Sequence, residues 1–161
     1  MSVVTFAQEK AEKPETYFNF WLGKWEATWD EGDGKKGKGV NYIHTTLDGK
    51  VLQENFEVTE GQNKGFKGKS FSVYNPRKNE WKQAWADNQG GYFDFTGAKD
   101  GELRMFQTAV FEKGDKKIVQ RMVFKNITKD SMTWDWESSV DGGKTWKLSW
   151  RIQYKKVAEA K

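Results

Sequence analysis

The chain has 161 residues, no cysteine, 9 Trp, 11 Phe and 5 Tyr, and a formal net charge of +4. A single domain of this length buries roughly 70% of its unfolded surface, so neither a disulfide nor a structural metal is required, and the lack of cysteine excludes zinc fingers and thiol nucleophiles. Its 27 basic residues are 23 Lys and 4 Arg, a solvated surface rather than an arginine-based reader of phosphates and bases, so nucleic acid is not an expected partner.

In chain order, Ser2–Gln8 is an uncharged, mostly apolar run followed at once by charged residues. It reads as the tail of a secretory signal cleaved after Ala7, which implies a periplasmic or secreted protein; the alternative is the frayed terminus of a cytosolic one. Residues 1–16 form this remnant and a polar leader, and residues 17–157 a single domain. Tyr17–Leu22 is an aromatic cluster ending at Gly23, expected to make one helical turn that plugs a core. From Lys24 the hydrophobic period is two, and strands are predicted over 24–30, 39–47, 50–58, 66–75, 80–88, 91–97, 102–111, 116–127, 131–139 and 144–155. Turn pairs such as Asp48-Gly49, Gly90-Gly91 and Gly142-Gly143 separate them. The fold class is therefore all-β, an antiparallel up-and-down barrel of about ten strands with a short N-terminal helical turn. Closure removes sheet edges and encloses a cavity, which a two-sheet sandwich would fill.

Residues i and i+2 on a strand share a face. Trp25, Ala27 and Trp29 are expected inside, as are Met132, Trp134 and Trp136, and Trp146, Leu148, Trp150, Ile152 and Tyr154. The same rule places Glu54 inside with Leu52, Phe56 and Val58, and Gln83 and Asp87 with Trp81 and Trp85. It places Gln107 with Leu103, Met105, Ala109 and Phe111. Buried polar groups need partners. Either Glu54, Gln83, Asp87 and Gln107 form a structural network with Arg121 or Arg104, or they are the polar points of an apolar pocket walled by Trp29, Trp81, Trp85, Trp134 and Trp136. Tyr42 and His44 share one face of the second strand and join the candidate ligand-binding set.

Phe20-Trp21-Leu22-Gly23-Lys24-Trp25 resembles the opening of calycin barrels, the lipocalin, fatty-acid-binding and nitrobindin-like group, where a helical turn leads into Gly-x-Trp. Arg151 is similar to the lipocalin arginine that packs over that tryptophan. With Asp48-Gly49, Trp81–Asp87 and the Asp-Gly-Gly-Lys-Thr-Trp of 141–146, the pattern resembles an uncharacterised family of bacterial lipocalin-like domains. The resemblance implies binding of a small apolar or amphipathic molecule within the barrel. Nitrobindin-like members hold haem through a histidine late in the chain; here the one histidine is His44 on the second strand, so no cofactor is expected.

Ser139–Trp146 fits the S-x-D-x-G-x-T-W box of sialidase propellers, but a propeller repeats it and this chain carries one copy, so it reads as a turn device. Glu54 and Asp87, if both inward, are the catalytic candidates for acid–base chemistry. No esterase Gly-x-Ser-x-Gly, clustered histidines, calcium loop or Walker spacing accompanies them, and no metal site is expected. The Gly-Lys stretch 32–39 is read as a flexible hairpin loop that attracts anions. No membrane span is expected, and the protein should be a monomer or homodimer. The expected function is small-molecule binding; an enzyme with an interior carboxylate and a carbohydrate-interaction module are the alternatives.

Overall fold

The alternation that begins at Gly23 is used throughout for one purpose, to put one face of every strand inside a closed wall. The computed structural model describes residues 12–158. The expected cleavage point after Ala7 and the start of the polar leader, residues 9–11, lie outside these residues. Eleven strands follow in order: β1 Gly23–Gly32, β2 Lys35–Thr46, β3 Val51–Glu60, β4 Lys67–Asn75, β5 Glu80–Asp87, β6 Tyr92–Asp100, β7 Leu103–Thr108, β8 Phe111–Lys113, β9 Lys116–Lys125, β10 Ser131–Ser139 and β11 Lys147–Lys156. Neighbours in sequence pair antiparallel from β1 to β7, β7 pairs with β9, and β9, β10 and β11 continue the wall until β11 meets β1. The result is a closed antiparallel barrel of ten strands, with no free edge in its ring.

The strand expected over 102–111 is divided, because β7 stops at Thr108 and the short β8 pairs only with β9 outside the ring. The stretch 32–39 is not a loop as expected. Asp33 and Gly34, both at positive φ (52° and 73°), make a two-residue hairpin turn whose backbone twist suits the flanking strands, and Lys35 onward is β2. Lys36 and Lys38 point to solvent, which turns Gly37 and Gly39 inward. Gly37 has no room for a side chain, since a Cβ there would stand 2.1 Å from the Trp29 indole nitrogen.

Because the strands form a meander, one pole of the barrel carries the chain's entrance and the other the β1–β2, β3–β4 and β5–β6 turns. Two short 3-10 turns, Pro14–Thr16 and Asn19–Trp21, fill the first pole, so the expected helical plug exists in tighter form. Phe18 is fully buried there, stacked on Phe106 at 4.2 Å and edge-on to Trp81 at 5.2 Å. Trp21 meets Phe124 at 5.1 Å. Three hydrogen bonds fasten the plug to the wall: the Trp81 indole donates to the Pro14 carbonyl (2.7 Å), the Trp25 indole to the Trp21 carbonyl (2.8 Å), and Arg104 Nε to the Tyr17 carbonyl (3.0 Å). Arg104 also pairs with Glu12 at 2.5 Å. This last contact explains why the expected face of β7 is reversed. Arg104 and Phe106 point inward to the plug, and Leu103, Met105 and Gln107 face the outside.

The expected inward faces of β1, β3 and β5 are as read from the sequence. On β11 the face holds for Trp150, Ile152 and Tyr154 and fails above them. A bulge between Trp136 and Glu137 sets Leu148 opposite Glu137, turning Leu148 outward to 42% exposure. Trp146 also lies outside, with the Arg121 guanidinium 3.7 Å above its ring. Arg151 does not cover Trp25. It forms a two-pronged pair with Asp135 on the outer wall (2.6 and 2.7 Å), and Lys156 takes the place over the Trp25 ring at 5.0 Å.

Candidate functional site

Above the plug the packing of rings stops short of filling the barrel. A cavity of about 190 Å³ remains, lined by Glu54, Phe56, Phe66, Trp85, Asp87, Phe93, Phe95, Met122, Trp134, Trp136, Trp150, Ile152 and Tyr154. Glu54, Phe56, Phe95, Met122, Ile152 and Tyr154 are buried and make its floor; Phe66, Trp85, Asp87, Phe93, Trp134, Trp136 and Trp150 are half-buried and make its rim at the turn-bearing pole. The aromatic walls brace one another edge to face: Trp134 against Trp150 at 5.6 Å, Phe93 against Trp136 at 5.5 Å, and Trp29 behind Trp150 at 5.2 Å. Trp85, paired with Ser70 across β4, lays its indole over Gly68 two residues along that strand, where a Cβ would fall 2.0 Å from the ring.

Glu54 is the polar centre. One carboxylate oxygen accepts from Asn41 Nδ2 and the other from Ser70 Oγ, both at 2.7 Å. Asn41 also reaches the Tyr154 hydroxyl at 3.3 Å, and its own Oδ1 has no donor. Burial pushes the Glu54 carboxyl up to about 7, against the downward pull of the Asn41 and Ser70 bonds. Burial, with Glu54 beside it, also raises the Tyr154 phenol well above the usual range. Asp87 at the rim goes the other way. Desolvation pulls it upward, but the Gly91 N–H, the Trp85 indole and the Gln89 N–H together outweigh that and hold it below the ordinary carboxylate value. The two carboxyls thus occupy different environments, one buried and able to stay protonated near neutrality, the other half-buried and ionised.

Of the residues expected to bind ligand, Glu54, Trp85, Asp87, Trp134 and Trp136 come together around the cavity. Trp29 supports the wall from behind. Trp81 belongs to the plug instead. Gln83 is buried and donates to Ser72 Oγ at 2.8 Å, outside the cavity lining, with its Oε1 unpaired. Four candidates lie on the outer wall. Tyr42 and His44 stack on each other there at 4.8 Å, because Asn41 and Ile43 take the inner face of β2. Gln107 borders an outer depression with Lys82 and Asp94, a consequence of the reversed β7 face. Arg121 pairs with Glu137 at 2.7 Å and caps Trp146.

Sequence reasoning missed Asn41, Ser70, Phe66 and Phe93 as site residues. The signal for Asn41 was the solvent-facing pair Lys36 and Lys38, whose alternation carries Gly37, Gly39, Asn41 and Ile43 inward. Phe93 and Phe95 are two apart on β6, a plain inward pair whose face was not assigned. The Ser139–Trp146 segment is a turn held by its own side chains and tied to β9 through Lys117, whose N–H donates to the Val140 carbonyl (3.1 Å) and whose carbonyl accepts from the Gly142 amide (2.8 Å). Asp141 accepts from the Lys144 and Thr145 amides (both 3.0 Å) and the Thr145 hydroxyl (2.6 Å), and Ser139 Oγ accepts from the Gly143 amide at 2.8 Å. No group of three or more His, Asp or Glu side chains among the described residues is placed to hold a metal ion. No helix there is long and apolar enough to cross a membrane.

Against known proteins, no protein-family profile matches the chain, and no curated protein matches it significantly. The functional reading therefore stands on the barrel and its cavity.

Proposed function

We propose that the protein binds a small hydrophobic or amphipathic molecule in the open half of a calycin-like barrel. The observation that carries this reading is the contrast in filling: the same kind of aromatic side chain closes one pole completely and leaves about 190 Å³ at the other, rimmed by half-buried rings. A cavity of roughly 150 Å³ lined by apolar side chains already accepts a benzene-sized guest, so this one takes a single ring system or one end of a longer ligand. Apolar walls with few polar points are the usual composition of such sites. All nine tryptophans are buried or half-buried, which weighs against a sugar-stacking platform on the outer wall. The run Ser2–Gln8 supports export to the periplasm or beyond.

Native mass spectrometry of protein purified without detergent, followed by solvent extraction, tests the binding reading. A stoichiometric small molecule that is lost when Trp134→Ala and Trp136→Ala are combined is the expected result. An empty protein whose tryptophan fluorescence ignores a panel of lipids, amines and aromatic compounds would overturn it.

A second reading, an enzyme using Glu54 as acid or base, is favoured by one feature. Its carboxyl, raised to about 7, is matched to proton transfer at neutral pH. Replacing Glu54 by Gln would then leave ligand affinity in place and abolish turnover of the extracted molecule.

A further inference from the structure

The polar character of the cavity is one-sided, and this narrows the class of ligand; the argument rests on the binding reading above. Glu54 is held by two neutral donors, Asn41 Nδ2 and Ser70 Oγ. Among the described residues no cationic side chain pairs with it, and none lines the cavity. The buried arginine of the barrel, Arg104, is at the opposite pole and is committed to Tyr17 and Glu12. Beside Glu54 the Asn41 Oδ1 is a buried acceptor with no donor. The second carboxyl of the lining, Asp87 at the rim, is already engaged, its oxygens accepting from the Gly91 and Gln89 amides and the Trp85 indole. The remaining wall is mostly aromatic rings, whose faces carry the negative part of the ring quadrupole. What this chamber lacks is positive charge; the Tyr154 hydroxyl, which accepts from Asn41, is the polar O–H on its lining.

We propose that the cavity binds an organic ammonium ion, a quaternary or protonated amine on a compact apolar body, with the charged head between Glu54 and the indole faces. Cation–π attraction strengthens when the cation is desolvated, and a carboxylate at the floor supplies the counter-charge that burial demands. An acid would meet two carboxyls and no cation. Lys35, Lys36 and Lys38 lie near the same pole, but Lys35 and Lys36 are exposed and Lys38 pairs with Glu60 at 3.0 Å. Their effect is on approach and is screened within about 8–10 Å, whereas Glu54 acts at the bound position.

Protonation of Glu54 removes the counter-charge, so affinity for a permanently charged ligand rises with pH. The groups facing Glu54 are Asn41 from β2, Ser70 from β4 and Tyr154 from β11. Burial keeps the Tyr154 phenol protonated, and Asp87 at the rim is already ionised. His44 of β2 stands on the outer wall.

The test uses three probes followed by tryptophan fluorescence and calorimetry on the full chain: benzyltrimethylammonium, its neutral carbon isostere neopentylbenzene, and phenylacetate. Benzyltrimethylammonium is expected to bind about 10-fold more tightly or better at about pH 8.5 than at about pH 5.5, with the isostere unaffected by pH. Phenylacetate is expected to bind more weakly than either. In Glu54→Gln the pH dependence disappears while the isostere still binds, which also shows that the variant keeps its cavity. Equal affinity for the cation and its isostere at every pH, or a pH dependence that survives in Glu54→Gln, overturns the ammonium proposal and leaves the cavity reading intact. Failure of all three probes at every pH, with nothing extracted from the purified protein, overturns both.

Discussion

The two poles of the barrel are built from the same kinds of aromatic side chain and behave as opposites. At the plugged pole Phe18, Trp21, Trp81, Phe106 and Phe124 pack edge to face and stacked, and the Trp81 indole N–H donates to a backbone carbonyl. At the open pole Trp85, Trp134, Trp136 and Trp150 are half-buried, braced on each other, and leave a gap floored by a carboxyl with no cation. Aromatic content alone is therefore neither a sign of a core nor of a site. What separates the two uses is whether the rings are met by a tethered segment of the chain or by space.

The sharpest way to break this comparison is to empty the plugged pole. Phe18→Ala removes a fully buried ring and should cost roughly 3–5 kcal/mol in a urea titration. Trp134→Ala at the open pole should cost clearly less and should change ligand response instead. Equal stability losses would show that the poles are not differently packed.

Next in size is Glu54→Gln. With a folded pKa raised to about 7 and an unfolded one in the ordinary glutamate range, the native state holds a proton that the unfolded chain has released. Stability falls as pH rises between the two values and is level above the higher one, a cost on the order of 3 kcal/mol. The Gln variant should lack this slope, so its stability relative to the parent should grow from pH 4.5 to pH 8 in chemical denaturation. Parallel curves would place Glu54 in contact with water or a cation.

Gly68→Ala is a smaller perturbation at the open pole. A methyl group 2.0 Å from the Trp85 indole cannot be accommodated without moving the ring, and overpacking of this kind costs about 1–3 kcal/mol. The indole should swing toward the cavity, so tryptophan emission should shift and ligand affinity should drop. The smallest effect is expected for Arg121→Ala on the outer wall. Loss of its Glu137 pair and its cover over Trp146 should cost about 1 kcal/mol and leave binding unchanged. A binding defect there would return Arg121 to the site.

Much of the fold was legible in the sequence because period two is a local property. β1, β3 and β5 were placed with their faces because each alternates without interruption, and the turns between strands carry residues that accept positive φ. The misreadings occur where alternation is ambiguous or broken. In Leu103–Thr108 both faces carry apolar residues, so the distant partners Glu12 and Tyr17 of Arg104 and Phe18 of Phe106 decide that these two turn inward. On β11 the bulge opposite Trp136 shifts the face by one residue, and no feature of Trp146–Trp150 announces it. The candidate residues divide in the same way. Glu54, Trp85, Asp87, Trp134 and Trp136 reach the cavity on the inner faces of their strands, whereas Tyr42, His44, Gln107 and Arg121 lie on the outer wall.

From local pattern alone came a chain of alternating strands joined by tight turns, an aromatic plug ahead of the first strand, and a carboxyl carried inward with Leu52, Phe56 and Val58. The tertiary structure decided that β11 closes on β1, that the plug fills only one pole, and that Asn41, Ser70 and Tyr154 from three separate strands meet Glu54 without a cation. The division has a physical cause. Which face of a strand is apolar is settled by neighbours two residues apart, but whether the enclosed volume is filled, and which charges remain unpaired within it, depends on register between strands distant in sequence.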